Sequence, residues 1–209
     1  MTKIITLFIA ALITGCTSYT PYEKQIPSLN KTHKEPVYFS VLDQRERIQK
    51  KRKPNSFIGV YRVSFGIPVS KTIKDITDPK DPRKNDTLAE FIQARVVDGI
   101  KNAGGEFKVR DLNRYPDTDF IKKDMKDGNV NKWVIMKIKE WYFSTDMHFN
   151  TSFNFDSDVE VLVYNSDAKV IFQEVFKNRD IIDENSDRHN DILRAYKSKL
   201  QEIFNSIEI

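Results

Sequence analysis

"KWVIMKIKEWYF", residues 132–143, is the stretch on which the fold turns. Val134, Met136 and Ile138 place apolar side chains on even positions, and Trp141 and Phe143 continue on odd ones. Strand side chains alternate between faces, so this change of parity would turn the apolar set to the opposite side of a sheet. One extra residue near Lys139-Glu140 absorbs the change, and a β-bulge or bend is expected there. Phe149, Phe153, Phe155, Val159, Val161 and Val163 all lie on odd positions. They predict a long strand paired back against the first through a turn around Ser144–Asp146.

Outward from this pair the elements follow in turn. "VYFSVL" (37–42) is nearly continuous in apolar residues and reads as a central strand. "FIGVYRVSFGI" (57–67) reads as a second strand, followed by a long polar loop over 70–86. Thr87-Leu88-Ala89-Glu90 has the spacing of a capping box. Leu88, Phe91/Ile92, Val96, Ile100 and Ala103 then recur at helical spacing until Gly104-Gly105. "EFKVRDL" is a short strand, and "DTDFIKKDMKDG" a short helix with an Asp or Thr cap. "YNSDAKV" is a hairpin turn leading into "VIFQEVF" (170–176). A final helix, capped by Ser186 or Asp187, carries one stripe of Ile192/Leu193, Tyr196, Leu200, Ile203/Phe204 and Ile207. The order β-β-α-β-β-β-β-α predicts an α+β fold: a largely antiparallel sheet with two main amphipathic helices packed on one face.

The chain begins with a basic start, an apolar run over 4–13 and Thr14-Gly15-Cys16. The run is too short for a bilayer span, which needs about 20 residues, and has the form of a secretory signal. Ile13-Thr14-Gly15-Cys16 resembles the lipobox of bacterial lipoproteins. That resemblance implies a thioether-linked diacylglyceryl group on Cys16, cleavage before it and acylation of the new amino terminus. The chain's single cysteine is then spent on lipid attachment, leaving none for a disulfide or thiolate. Thr17 stands where lipoproteins retained at the inner membrane commonly carry Asp, which points to the outer membrane, facing the periplasm.

The expected division is a signal peptide over 1–15, a lipidated terminus and flexible tether over 16–36, and a single periplasmic domain over 37–209. Loss of Lys3 with the signal lowers the side-chain balance from +4 to about +3. That is too mild to argue for nucleic acid. The tether, with three prolines, would span about 25 Å as coil and at most about 60 Å if polyproline-like.

No constellation for catalysis, a cofactor or a metal is drawn from the residues. His33, His148 and His189 have no partners at ligand spacing. Asp78, Asp81 and Asp86 do not match a calcium loop. Asp156 and Asp158 lie on one side of a strand and read as a solvated face. "RERIQKKRK" (45–53) is strongly basic. It reads as a solvated, edge-protecting loop, with contact to anionic lipid as the competing use. The aromatic stretch over 140–155 reads as the inner face of the sheet, with an aromatic groove for lipid or glycan as the alternative.

Several of these motifs together resemble the YajG-type family of small bacterial lipoproteins. They are the lipobox, Asp43-Gln44-Arg45 after the first strand, Ile58-Gly59, and Gly105-Glu106-Phe107-Lys108-Val109 after the helix. The "DVEVLVYNSDAKVIFQEVF" hairpin and last helix complete the set. The charged insert 68–86 departs from that pattern. The resemblance implies no known catalytic residues. The expectation is therefore a noncatalytic, lipid-anchored envelope protein that binds a protein partner; a carrier or sensor of lipid or glycan is the alternative. Asp43 and Arg45, two apart and on one face if extended, read first as a structural pair. With Lys50, Lys51, Arg52 and Lys53 they also form the candidate partner-contact surface.

Overall fold

The computed structural model describes residues 18–30, 35–146, 152–184 and 187–207. The signal segment, Cys16, His33, His148 and Phe149 lie outside them. Seven strands form one sheet among the described residues: β1 (Val37–Asp43), β2 (Phe57–Arg62), β3 (Pro68–Thr72), β4 (Phe107–Val109), β5 (Lys132–Asp146), β6 (Ser152–Asn165) and β7 (Val170–Ile181). The helices are α1 (Tyr22–Gln25), α2 (Glu46–Gln49), α3 (Leu88–Asn102), α4 (Thr118–Asp127) and α5 (Arg188–Ser206).

β5 organises the sheet. Along one edge it pairs antiparallel with β6 over its whole length, and β6 pairs antiparallel with β7. Along the other edge it pairs in series with two strands, both parallel. β1 runs beside residues 132–138, and β2 takes over at Phe143 and Ser144. The register of β5 against β6 slips between Ile138 and Glu140, where the change of apolar parity predicted a bulge. The slip lets Val134, Met136 and Ile138 share a core with Trp141 and Phe143, all of them buried.

The fold is α+β as expected, and the two main helices, α3 and α5, cover one face of the sheet. The sheet is largely antiparallel as expected, with β1 running parallel to both β4 and β5. Three details differ from expectation. The segment read as one strand over 57–67 is a hairpin: β2 ends at Arg62, Phe65 and Gly66 turn at positive φ, and β3 returns from Pro68. The turn placed at Ser144–Asp146 comes later, since Asp146 still pairs with Ser152. α4 lies on the opposite face, over a smaller core of Leu42, Trp133, Ile135, Leu162 and Tyr164.

Local chemistry explains the helices. The Thr87 hydroxyl accepts from the Glu90 N–H, and the Glu90 carboxylate accepts from the Thr87 N–H at 2.7 Å, closing the capping box. Asp117 caps α4 by accepting from the Phe120 N–H at 2.8 Å. The apolar stripe of α5 buries Ile192, Leu193, Tyr196, Leu200, Ile203 and Phe204.

The tether expectation needs correction for residues 18–30. They form a strap along the outside of α3 and α5. Leu29 enters the main core, and Gln25 is 3% exposed. Side-chain amides of α5 hold the strap's backbone: Asn190 takes the Thr20 N–H at 2.8 Å, Gln201 the Ser28 N–H at 3.2 Å and Asn205 the Asn30 N–H at 3.0 Å. On the α3 side, the Tyr22 hydroxyl donates to Asp98 at 2.7 Å, and Gln25 accepts from the buried Arg95. Burial pushes the Arg95 guanidinium down to about 10, against the pull of Tyr22, Asp81 and Asp86. Gln25 and the Phe91 carbonyl supply its hydrogen-bond acceptors. A buried charge must find such partners or lose stability.

Candidate functional site

The first candidate surface begins at Asp43, the last residue of β1. Its carboxylate receives a two-pronged bond from Arg45, with Nε donating to Oδ1 at 2.9 Å and Nη2 to Oδ2 at 2.7 Å. Arg45 Nη1 donates to the carbonyls of Phe57 at 2.6 Å and Trp141 at 3.2 Å. These groups come from β1, β2 and β5, at the place where β5 changes partner. Arg45 is 0% exposed and the Asp43 side chain 11% exposed. The default reading of a structural pair is therefore what the geometry carries. Arg45 is corrected as a contact residue: its donors are consumed inside the fold.

The basic loop splits. Lys50 pairs with Glu46, and Lys53 Nζ donates to Ser70 Oγ at 2.7 Å while lying 4.9 Å from the Phe57 ring centre. Lys51 and Arg52 are exposed, with Lys51 at positive φ in the turn. Arg47, half-buried, pairs with Glu140 and lies 4.4 Å over the Tyr142 ring. Burial raises the Glu140 carboxyl above its usual value, against the pull of Arg47.

The aromatic stretch is core. Trp141, Phe143, Phe153 and Phe155 are at most 1% exposed. Trp141 meets Phe155 at 4.9 Å and Tyr196 at 5.2 Å between ring centres. The groove alternative is corrected accordingly: α5 fills the space a lipid or glycan would need. The Tyr196 hydroxyl has the Trp141 indole as a polar neighbour, but no hydrogen bond of ordinary geometry joins them. Burial pushes this hydroxyl's pKa far up.

Asp156 and Asp158 each meet a base from the neighbouring strand. Arg179 Nε donates to Asp156 at 2.5 Å, and Lys177 lies 3.0 Å from Asp158. A cleft of about 330 Å³ opens between the end of β7 and α5. Lys199 in its wall is bound by Asp180 at 2.9 Å and Glu202 at 2.7 Å. Burial works to lower the Lys199 ammonium, but its bonds to Glu202 and Asp180 outweigh it and raise the group. It is thus a fixed cation, and Arg194 beside it pairs with Asp191. His189 is half-buried, with its ring 4.6 Å from Tyr19. Among the described residues, no cluster of His, Cys, Asp and Glu has the form of a metal site, and no helix is long and apolar enough to cross a membrane.

Two exposed apolar features were not singled out in the sequence. The first is β7. Among the described residues it pairs with β6 alone, so its second edge is open. Val170, Ile171, Val175 and Ile181 on it are 44%, 50%, 51% and 73% exposed. The second is the β2–β3 hairpin tip, where Val63, Phe65 and Ile67 are 40%, 100% and 56% exposed. Alternation had marked both as strand, and period-2 pattern alone does not tell an edge or a tip from a covered strand.

No protein-family model matches the chain, and no curated protein matches it. Similar solved structures include protein XCC0632 from Xanthomonas campestris, at TM-score 0.47 and 9% identity, covering 86% of this chain and 85% of that one. Another is the PelC dodecamer from Paraburkholderia phytofirmans, at TM-score 0.41 and 11% identity, covering 86% and 90%. A third is lipoprotein GNA1162 from Neisseria meningitidis, at TM-score 0.40 and 9% identity, covering 83% and 100%. All three likenesses are distant.

Proposed function

We propose that this chain is a noncatalytic lipoprotein of the bacterial envelope, held through Cys16 at the outer membrane and facing the periplasm, whose domain binds another protein along β7. The observation that carries the reading is the open edge of β7, twelve residues long. An unpaired strand edge presents a row of backbone donors and acceptors, a template on which another chain can add a strand. Proteins usually blunt such edges with charge. Here Glu174, Lys177, Arg179 and Asp180 supply it, while Val170–Gln173 carries none. That uncharged third, with two exposed aliphatic side chains, is the segment best suited to receive a partner strand.

The test is a photo-crosslinking residue at Val175 in cells, with a control at the exposed Lys122 on α4. A discrete, reproducible adduct from position 175 alone supports the reading. Its loss in Ile171→Lys, which places a charge on the edge without touching the core, ties the adduct to the strand. No adduct at 175, or the same products from both positions, would end the proposal.

A further inference from the structure

The described chain begins at Ser18, two residues after the cysteine assigned as the anchor, and Ser18 is already fixed to the domain. Asn190 Nδ2 donates to the Ser18 carbonyl at 2.6 Å, and Tyr19 packs on His189. Two residues reach at most about 7 Å. A lipid carried by Cys16 would be held within that reach of Ser18, and with it the domain would lie close against the bilayer rather than stand off it.

The hairpin tip occupies the same end of the molecule. β2 runs parallel to β5, and the Arg62 N–H donates to Thr145 Oγ1 at 2.8 Å, one residue short of the end of β5. Residues 63–67 thus project past the sheet. The hairpin's base touches the anchor's exit: the Arg188 guanidinium lies 4.1 Å from the Tyr61 ring centre, and the next residue, His189, holds Tyr19. β7 also finishes here, with Ile181 pairing to Asn154 near the start of β6. Phe65 is fully exposed at φ 62 and ψ 19, a left-handed conformation unfavourable to a non-glycine residue. In water nothing is gained by presenting an aromatic ring this way.

We infer that this end of the domain faces the bilayer and that the Val63–Ile67 tip is a second, noncovalent membrane contact, with Phe65 entering the lipid interface. The inference rests on the lipid anchor at Cys16. The occupant is the bilayer itself, met by apolar side chains on a turn, as aromatic groups at a membrane surface are. A single lipidated residue leaves a domain free to rotate; a second contact fixes its orientation. β7 then rises away from the membrane in reverse, with the uncharged Val170–Gln173 segment at its far end.

The test uses the acylated chain. Because lipid occupies Cys16, Phe65→Cys creates the one free thiol, and removing an exposed ring costs no packing. An environment-sensitive fluorophore is attached there, and the chain is placed in phosphatidylethanolamine–phosphatidylglycerol vesicles. Ser166→Cys, in the exposed β6–β7 turn at the opposite end, is the control. The expected result is a blue shift at 65 with quenching by nitroxide-labelled acyl tails, and neither at 166. Aqueous emission at 65 in the membrane-bound chain overturns the inference, as does an equal shift at both positions. The mass of the mature amino terminus separates the two layers. An unmodified Cys16 removes the anchor and the inference with it, whereas an acylated Cys16 with an aqueous probe at 65 removes the inference alone.

Discussion

Arg45→Met tests the junction where β5 exchanges one partner strand for another. The substitution keeps much of the apolar stem and the Arg45 N–H bond to Asp43, but removes both guanidinium bonds to Asp43 and the donors to the Phe57 and Trp141 carbonyls. With its side chain only 11% exposed, the Asp43 carboxylate is left with little water to replace them. Removing one partner of a buried ion pair costs about 3–5 kcal/mol. For a chain of this size that lowers Tm by about 6–20 °C. Urea unfolding, followed by tryptophan fluorescence, should show a lower midpoint at an unchanged m-value. Adding Asp43→Asn removes the stranded charge and should recover part of the loss. The two carbonyls remain unsatisfied, at about 1–3 kcal/mol each, so recovery should be incomplete. Arg45→Lys should also fall short, because an ammonium lacks the planar fork. A loss under about 1 kcal/mol for Arg45→Met would refute the clamp, since a buried pair cannot be broken that cheaply.

Three further outcomes follow from the strap and the core. A Cβ at Gly99 would lie 2.8 Å from the Pro27 carbonyl oxygen, so Gly99→Val should push the strap off α3. Limited proteolysis should then cut within 18–30 while the sheet survives, at a cost of about 1.5–3 kcal/mol for exposing Leu29; an uncut strap would contradict this packing. Burial, then the hydrogen bond to Asp98, pushes the Tyr22 hydroxyl up to about 12, so the fold favours its protonated form. Its contribution should be complete below the ordinary tyrosine value near 10 and lost as pH rises from there through about 12. Arg95, pushed down to about 10, drives the opposite slope in that window, so comparing wild type with Tyr22→Phe isolates the tyrosine. An identical pH dependence of the urea midpoint in both would count against the assignment. Tyr196→Phe removes a buried hydroxyl without a well-formed hydrogen bond, and should be neutral or stabilising by up to about 1 kcal/mol in the same assay. A clear loss of stability would mean that the hydroxyl is satisfied.

Side-chain parity was enough to locate the bulge in β5, because a buried sheet face punishes a one-residue slip at every following position. The caps of α3 and α4 were equally legible: Thr87 with Glu90 and Asp117 act within one turn. Strand direction was not. A central strand such as β1 is apolar throughout whichever way its neighbours run, so its parallel pairing with β4 and β5 left no local mark. The strap was missed for a different reason. Its contacts are amides on the solvent side of α5, at Asn190, Gln201 and Asn205, reaching backbone atoms, and prolines at 21 and 27 suggested unordered chain. Only Gly99, a glycine inside a helix, hinted that another backbone came close. Asp43 and Arg45 were legible as a structural pair, but nothing in an Asp-x-Arg spacing says that β1, β2 and β5 meet around them.

The strap also sets an order of events. Its bonds to α5 join residues 170–177 positions apart, nearly the length of the chain. Closing so long a loop is a late step, because the partner helix must exist before the bonds can form. A chain synthesised amino end first has residues 18–30 early and Asn190, Gln201 and Asn205 late. Until then Arg95 has no Gln25 acceptor and Leu29 no place in the core. The strap is thus the first segment to be made and the last to settle, and its closure marks that α5 is in place.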